Sequence, residues 1–317
     1  MPVDLSDRLV VAVASSALFD LTESDQVFRE RGAQQYEQFQ IDHLHDQFSP
    51  GPAFQFVKRL LALNQIQHDL VEVLVVSRNS PASGLRIMES VRQHGLGITR
   101  AIFRSGKNAH EFMPLFNVSL FLSGNRADVD AAIAAGLPAG HVLPTPYRSR
   151  EEGSQLRIAF DFDGVLADDS AERVYQESDS LDQYFQYEQD HAAEPLKPGP
   201  LQDFLSKINR IQDIERARHE ADETYERRVR VSLVTARNAP AHERAIRSLM
   251  SWGLGVDDAF FLGGIEKTGV LNVLQPHIFF DDQLRHLNDL ALEAPAVHIP
   301  FGLHNLADPT SSPPRDA

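Results

Sequence analysis

Residues 35–60, QYEQFQIDHLHDQFSPGPAFQFVKRL, and residues 183–208, QYFQYEQDHAAEPLKPGPLQDFLSKI, resemble each other at a constant offset of 148 positions. Three further pairs follow in the same order: VLVVSRNSPA (73–82) with VSLVTARNAPA (231–241), HGLG (94–97) with WGLG (252–255), and NVSLFLSG (117–124) with PHIFFDDQ (276–283). Arg78-Asn79 matches Arg237-Asn238 within the second pair. Four matches in register predict two similar halves, because a repeated supersecondary unit repeats its packing as well as its residues. Convergent turn chemistry, such as recurrent Pro-Gly-Pro loops, is the alternative. The halves are expected over 1–150 and 151–306, joined near 145–155 by the polar YRSREEGSQ; the tail 307–317, ADPTSSPPRDA, reads as disordered.

Within each half, short apolar runs alternate with longer amphipathic stretches. The runs predict strands over Leu9–Ala14, Val71–Val76, Val118–Leu122, Arg157–Phe160, Arg230–Val234, Ala259–Leu262, His277–Phe280 and Ala296–Ile299. Helical patterns occupy 81–94, 126–135, 200–212 and 240–252. That alternation predicts an α/β fold with a mostly parallel sheet. Ligands in such folds sit at the carboxyl ends of the strands.

The formal net charge of −15 argues against nucleic-acid or anionic-membrane partners, and means that an anionic substrate needs local cations to hold it. With no cysteine, disulfides, thiolate catalysis and Cys-ligated zinc are excluded. MPVDLSDRLVVAVASS has too short an apolar run for a signal peptide, and no stretch approaches a membrane span, so a cytoplasmic location is expected. Oligomeric state is left open, a homo-oligomer included.

The stretch RIAFDFDGVLADDS (157–170) ends an apolar run in Asp161 and Asp163. Thr235 follows VSLV, Lys267 lies in GGIEKTG, and Asp281-Asp282 follow HIFF. In a parallel sheet these strand ends converge. Carboxylates ~4 Å apart repel by a few kcal/mol per pair at an effective dielectric of about 20, so they stay ionised together only beside a cation. Oxygen donors without a Cys or His cluster favour a hard ion, Mg²⁺ before Zn²⁺. Singly, Asp161 and Asp163 read equally well as turn or cap residues, Thr235 as a plain strand residue and Lys267 as a solvated loop cation. Asp168, Asp169, Asp257 and Asp258 read as helix caps or exposed faces. His43, His191 and the other histidines read as surface or helix residues. GGIEKT lacks the glycine of a G-x-x-x-x-G-K-[ST] loop, and Asp161-Phe162-Asp163-Gly164 places its glycine too early for a calcium loop. In the first half Ala14 and Ser16 stand for Asp161 and Asp163, Val76 for Thr235, and Ser123-Gly124 for Asp281-Asp282, so chemistry is assigned to the second half.

This ordered set resembles the haloacid dehalogenase-like phosphatase superfamily, with its D-x-D-x-[TV], apolar-[ST], Lys and apolar-D-D motifs. The resemblance implies a Rossmann-like fold with small helical cap insertions, here at about 168–229. It implies Asp161 as a nucleophile forming an aspartyl-phosphate and Asp163 as general acid and base. Thr235, the adjacent Ala236 and Lys267 would hold the phosphoryl group. Asp161, the backbone carbonyl of Asp163, Asp281 and Asp282 would bind Mg²⁺.

A closer resemblance, to the cytosolic 5′-nucleotidase type I family, runs through VAVASSALFD, FSPGPAFQFVKRL, IAFDFDGVL, LVTARN, SWGL, PHIFFDDQ and HIPFG. It implies Mg²⁺-dependent hydrolysis of a nucleoside 5′-monophosphate, typically AMP, to nucleoside and phosphate. Another small phosphomonoester as substrate, phosphoryl transfer to a nucleoside, or a silent nucleotide-binding regulator are the competing readings. Phe162, Arg237 and Asn238 are expected as substrate contacts. Phe162, Tyr184, Phe185 and Tyr187 are each open to base stacking or to ordinary core packing. The charged stretch Ile214–Arg228 is expected to reshape the substrate entrance. The role of the first half stays open between a regulatory site, part of the pocket and packing alone.

Overall fold

Each run expected as a strand pairs into one sheet. The computed structural model describes residues 4–145, 153–171, 174, 180–288, 291–302 and 305; the expected tail and most of the link between halves lie outside the described residues. The strands are β1 Leu9–Val13, β2 Val71–Ser77, β3 Arg100–Phe103, β4 Leu120–Ser123, β5 Ala139–Val142, β6 Leu156–Phe160, β7 Val229–Thr235, β8 Asp258–Phe261, β9 Ile278–Asp281 and β10 Ala296–His298. Among the described residues they form one ten-stranded sheet, ordered β3-β2-β1-β4-β5-β10-β9-β6-β7-β8. Pairing is parallel throughout except at the central β5–β10 joint, where Val297 faces Val142 and His298 faces His141 antiparallel. Gly140 permits that joint, since a Cβ there would lie 2.4 Å from a Val297 methyl. Read inward from either edge, the order is the same: 3-2-1-4-5 on one side and 8-7-6-9-10 on the other.

The strands are apolar along their length because both faces are covered, as parallel sheets require. In β1, Leu9, Val11 and Val13 enter one core, and Val10 and Ala12 enter a second. In β6, Leu156, Ile158 and Phe160 join the first core, and Ala159 faces a third. One face therefore carries a continuous core across both halves, and the other carries a separate core for each.

The helices are α1 Ser15–Leu18, α2 Thr22–Asp42, α3 Phe54–Ala62, α4 Pro81–Gln93, α5 Arg126–Ala134, α6 Leu181–Asp190, α7 Gln202–Ala221, α8 His242–Ser251, α9 Lys267–Leu274 and α10 Leu284–Leu287. The pattern missed α2, which buries few residues and turns at Gly32 with φ 79°. It also missed β3, a half-exposed edge strand, and β5, whose Ala-Gly-His-Val sequence has weak β propensity and is a strand through its partners.

Two expectations change. The stretch 168–229 divides: α7 sets Phe204, Leu205, Ile208 and Ile211 into the main core, so it covers the sheet and only the part before it can overhang the strand ends. Ile214–Arg228 completes α7 and returns to the start of β7, where the buried Glu215 accepts from Arg228 N at 2.6 Å and Val229 N at 3.0 Å. That is the amino edge of the sheet, one strand length from Thr235. The charged stretch therefore lies too far away to shape an entrance at the carboxyl edge.

Candidate active site

Asp161 follows β6 directly, and its N–H donates to Phe280 O of β9 at 2.8 Å, so the ladder itself fixes the backbone of this residue. Phe280 leads into Asp281, the last residue of β9, with Asp282 next. Lys267 opens α9, so it is a helical residue, 3% exposed, and not a loop cation. Its Nζ lies 2.9 Å from Asp161 Oδ2 and 2.7 Å from Asp281 Oδ2. Asp281 Oδ1 accepts from Gln283 N at 2.8 Å, and His286 Nδ1 of α10 sits 3.0 Å from Asp281 Oδ2. Three strand or helix ends thus meet around one buried ammonium.

Asp282 lies beside Gly164. A Cβ at Gly164, whose φ is 71°, would come within 2.6 Å of Asp282 Oδ2, so glycine serves both the turn and the close approach. Thr235 ends β7 and is buried; its Oγ1 accepts from Arg237 N at 3.3 Å. Ala236 is exposed at the strand end, and Asn238 is half-buried against Gly263.

Burial dominates the electrostatics. It pushes the Asp161 carboxyl up to about 6, with Asp281 and Asp163 adding to the rise and Lys267 opposing it. Burial, then the charges of Asp161, Asp281 and Asp163, push Asp282 up to about 9. Burial works against Asp281 as well, but Lys267 and His286 hold it below the ordinary carboxylate value. Lys267 is raised above the usual lysine value because Asp161 and Asp281 outweigh its desolvation. More negative charge converges here than one ammonium neutralises.

The residues present fit a hard divalent cation. Asp161, Asp281 and His286 offer ligand atoms within 4.8 Å of one another, and Asp282 Oδ1 is buried with no hydrogen-bond partner. Carboxylate oxygens dominate that donor set.

Two expected substrate contacts are corrected. Phe162 has no exposed surface; its ring stacks on Trp252 at 6.3 Å inside the core, which leaves no face for a base. Arg237 is 4% exposed, and its guanidinium is committed to protein. Nε and Nη2 fork onto the two Asp163 oxygens at 2.7 Å each, and Nη1 donates to Glu188 and to Ala241 O. Of the α6 aromatics, Tyr184 packs against the main core, while Tyr187 lies 4.1 Å from the His191 ring. Asp257 and Asp258 are not caps: Asp257 receives Val231 N, Gln212 and Arg227, and Asp258 pairs with Arg230. Asp168 does make a local turn with Ser170.

Sequence reasoning missed His286, Glu188 and Arg244. His286 was grouped with the surface histidines, although its position five residues after Asp281 was a usable signal. Glu188 and Arg244 carried no motif.

A mostly parallel α/β sheet whose carboxyl edge gathers acids around a buried lysine defines a Rossmann-like protein with its candidate site at that edge. The sequence narrows this further. The sequence model of the 5′-nucleotidase family matches residues 1–306, and the chain belongs to that family. It is 32% identical over 294 residues to cytosolic 5′-nucleotidase 1B of Homo sapiens. The match takes in 90% of this chain and 48% of that protein, so the chain spans about half the length of this curated relative.

Proposed function

We propose that the protein is a Mg²⁺-dependent 5′-nucleotidase that hydrolyses nucleoside 5′-monophosphates, AMP foremost, to nucleoside and phosphate. The observation that carries the reading is Lys267 bridging Asp161 and Asp281 at the carboxyl edge, inside a chain of the 5′-nucleotidase family. Asp161, Asp281, Asp282 and the backbone carbonyl of Asp163 would hold the ion, which when bound supplies positive charge against the phosphoryl oxygens and the carboxylates.

In the proposed reaction an Asp161 oxygen attacks phosphorus and the bond to the 5′ oxygen breaks, its electron pair staying on that oxygen. Asp163 gives the 5′ oxygen a proton, and the nucleoside leaves. Water then attacks the aspartyl-phosphate, passing a proton to Asp163; phosphate departs and Asp161 is restored. Thr235 and the backbone N–H of Ala236 orient the phosphoryl group, and Lys267 offsets its charge together with that of Asp161.

Phosphate release from AMP, IMP, CMP, UMP and their deoxy forms, against a panel of sugar phosphates, tests this reading. Equal turnover of nucleotides and sugar phosphates would defeat the substrate assignment, and full activity in excess chelator would defeat the ion. A cytoplasmic location is proposed in keeping with the relative's name; among the described residues no helix is long and apolar enough to cross a membrane.

We also read residues 1–150 and 151–306 as copies of one haloacid dehalogenase-like unit, the second catalytic. Matched strand order supports this, as do side-chain bonds that recur at matched positions. Arg86 Nε donates to Asp46 O at 3.0 Å and Arg244 Nε to Glu194 O at 2.9 Å. Ser90 Oγ accepts from Phe48 N and Ser248 Oγ from Leu196 N.

A further inference from the structure

Glu188 is fully buried, on a helix that carries no other site residue, and the proposed mechanism does not use it. One of its oxygens accepts from Arg237 Nη1 and the other from Arg244 Nη1 at 2.8 Å. Arg244 is in turn fixed by Glu194 O at 2.9 Å, and Arg237 by Ala241 O at 3.1 Å. The chain of contacts therefore runs from α8 through Glu188 of α6 to Arg237, and ends on Asp163. Two guanidinium groups and two carboxylates balance one another; Glu188, Arg237 and Arg244 are buried, and Asp163, 19% exposed, is the end that reaches water.

The first half supplies an internal control. Gln40 occupies the place of Glu188 and accepts from Arg86 at 3.0 Å, as Glu188 does from Arg244. Strand register sets Asn79, not Arg78, at the place of Arg237, and Ser16 stands where Asp163 would be; Arg78 pairs with Asp128. The half without the acid has neutral residues at all three places, Gln40, Asn79 and Ser16.

We propose that Glu188 is a positioning residue for Asp163, acting through Arg237. The proposal rests on the reading of Asp163 as the group that exchanges a proton with the leaving oxygen. Both Asp163 oxygens accept from Arg237 and each keeps a second lone pair, so Asp163 can meet a 5′ oxygen only in the directions the fork leaves open. Glu188 sets where Arg237 stands during that exchange, and so where Asp163 points. A carboxylate beside two guanidinium groups forms charge-assisted bonds that hold direction as well as distance.

The test compares AMP with its analogue carrying sulfur in place of the bridging 5′ oxygen. A thiolate leaves without being protonated, whereas an alkoxide needs the proton, so loss of a well-placed acid harms AMP selectively. Glu188→Gln, which recreates the arrangement at Gln40, is expected to lower kcat for AMP at least about tenfold with KM within about twofold, and to lower kcat for the sulfur analogue less than about threefold. Glu188→Asp keeps the charge between the two arginines and withdraws it by one methylene; it should show the same selectivity and decides the matter if Glu188→Gln does not fold. Arg237→Lys combined with Glu188→Asp should be no worse than the worse single variant, since both remove one support. Equal losses on the two substrates, or additive losses in the double variant, would overturn the proposal. Asp163→Asn separates the two layers. If it is selective for AMP and the Glu188 variants are not, only the positioning role fails; if it is not selective, the role of Asp163 fails and the positioning role with it.

Discussion

The carboxyl edges of the two halves carry the same frame, and only the second carries the cluster of acids. Where the second half sets Asp161 and Asp163, the first has Ala14 and Ser16, and Gly124 N donates to Ser16 Oγ at 3.2 Å. Strand register revises two correspondences, at Thr235 and at Arg237, whose counterpart is Asn79. Thr235 pairs with Phe261 as Ser77 pairs with Phe103, so Ser77, and not Val76, is the counterpart of Thr235. Asn79 N donates to Ser77 Oγ at 3.2 Å just as Arg237 N donates to Thr235 Oγ1 at 3.3 Å. The first half therefore keeps the hydroxyl and has none of the acids. It lacks the lysine too: the same register that aligns the left-handed cap residues Asn117 and Gln275 places the buried Ala109 opposite Lys267. A buried ammonium without its carboxylates would be an uncompensated charge, so acids and lysine are present or absent as one set.

The comparison breaks most severely at Asp161, the proposed nucleophile. Asp161→Asn should lower kcat by at least about 10⁴-fold with the circular dichroism spectrum unchanged, and chelation of divalent ions should lower it comparably. A variant that kept appreciable turnover would remove the distinction between the halves. Next comes Lys267→Ala, which copies Ala109. It should destabilise the fold by about 3 kcal/mol in chemical denaturation, because Asp161 and Asp281 lose their buried partner. Adding Asp161→Asn should recover part of that loss; simple additivity would show that the set is not coupled.

A pH series sharpens the contrast. Asp161, held up at about 6, and Asp282, at about 9, bind protons in the folded protein that the unfolded chain has already released. Their contribution is present at acid pH and lost as pH rises through those values. The ion-free protein should therefore lose stability from about pH 4, where the unfolded carboxyls ionise, to about pH 9, by about 1.4 kcal/mol per pH unit for each proton of difference. Asp281 is shifted the other way, and its window lies below the ordinary carboxylate value. Mg²⁺ should raise the melting temperature more at pH 8 than at pH 6, and a flat difference would contradict the burial argument. The smallest effect is expected in the first half. Ser77→Ala removes a hydrogen bond to Ser15 and one from Asn79, costing about 1 kcal/mol while kcat stays within about twofold. A larger loss of activity would mean that this half takes part in catalysis.

Much of the fold was legible because its signals are local. Strands buried on both faces are apolar throughout, so β1, β2, β6, β7 and β9 stood out, and the acids at their ends pointed to the carboxyl edge. β5 was hidden because Gly140 is there for the β10 joint, a requirement written in residues about 160 positions away. Phe162 sits between two acids in sequence and yet faces the core, since the chain continues extended from β6 at Asp161 and successive side chains alternate.

The sequence by itself determined that the chain would be an α/β protein with a mostly parallel sheet, and it singled out Asp161, Asp163, Thr235, Lys267, Asp281 and Asp282 as the candidate site residues. Periodicity and strand-terminal charge are properties of short segments, and they survive without knowledge of what packs where. Tertiary structure alone decided that the halves share one sheet through an antiparallel joint, that His286 stands against Asp281, and that Glu188 closes a buried circuit from α6 to Asp163. Each of these depends on pairing between distant segments, and a buried charge declares its purpose only once the charge that balances it is found.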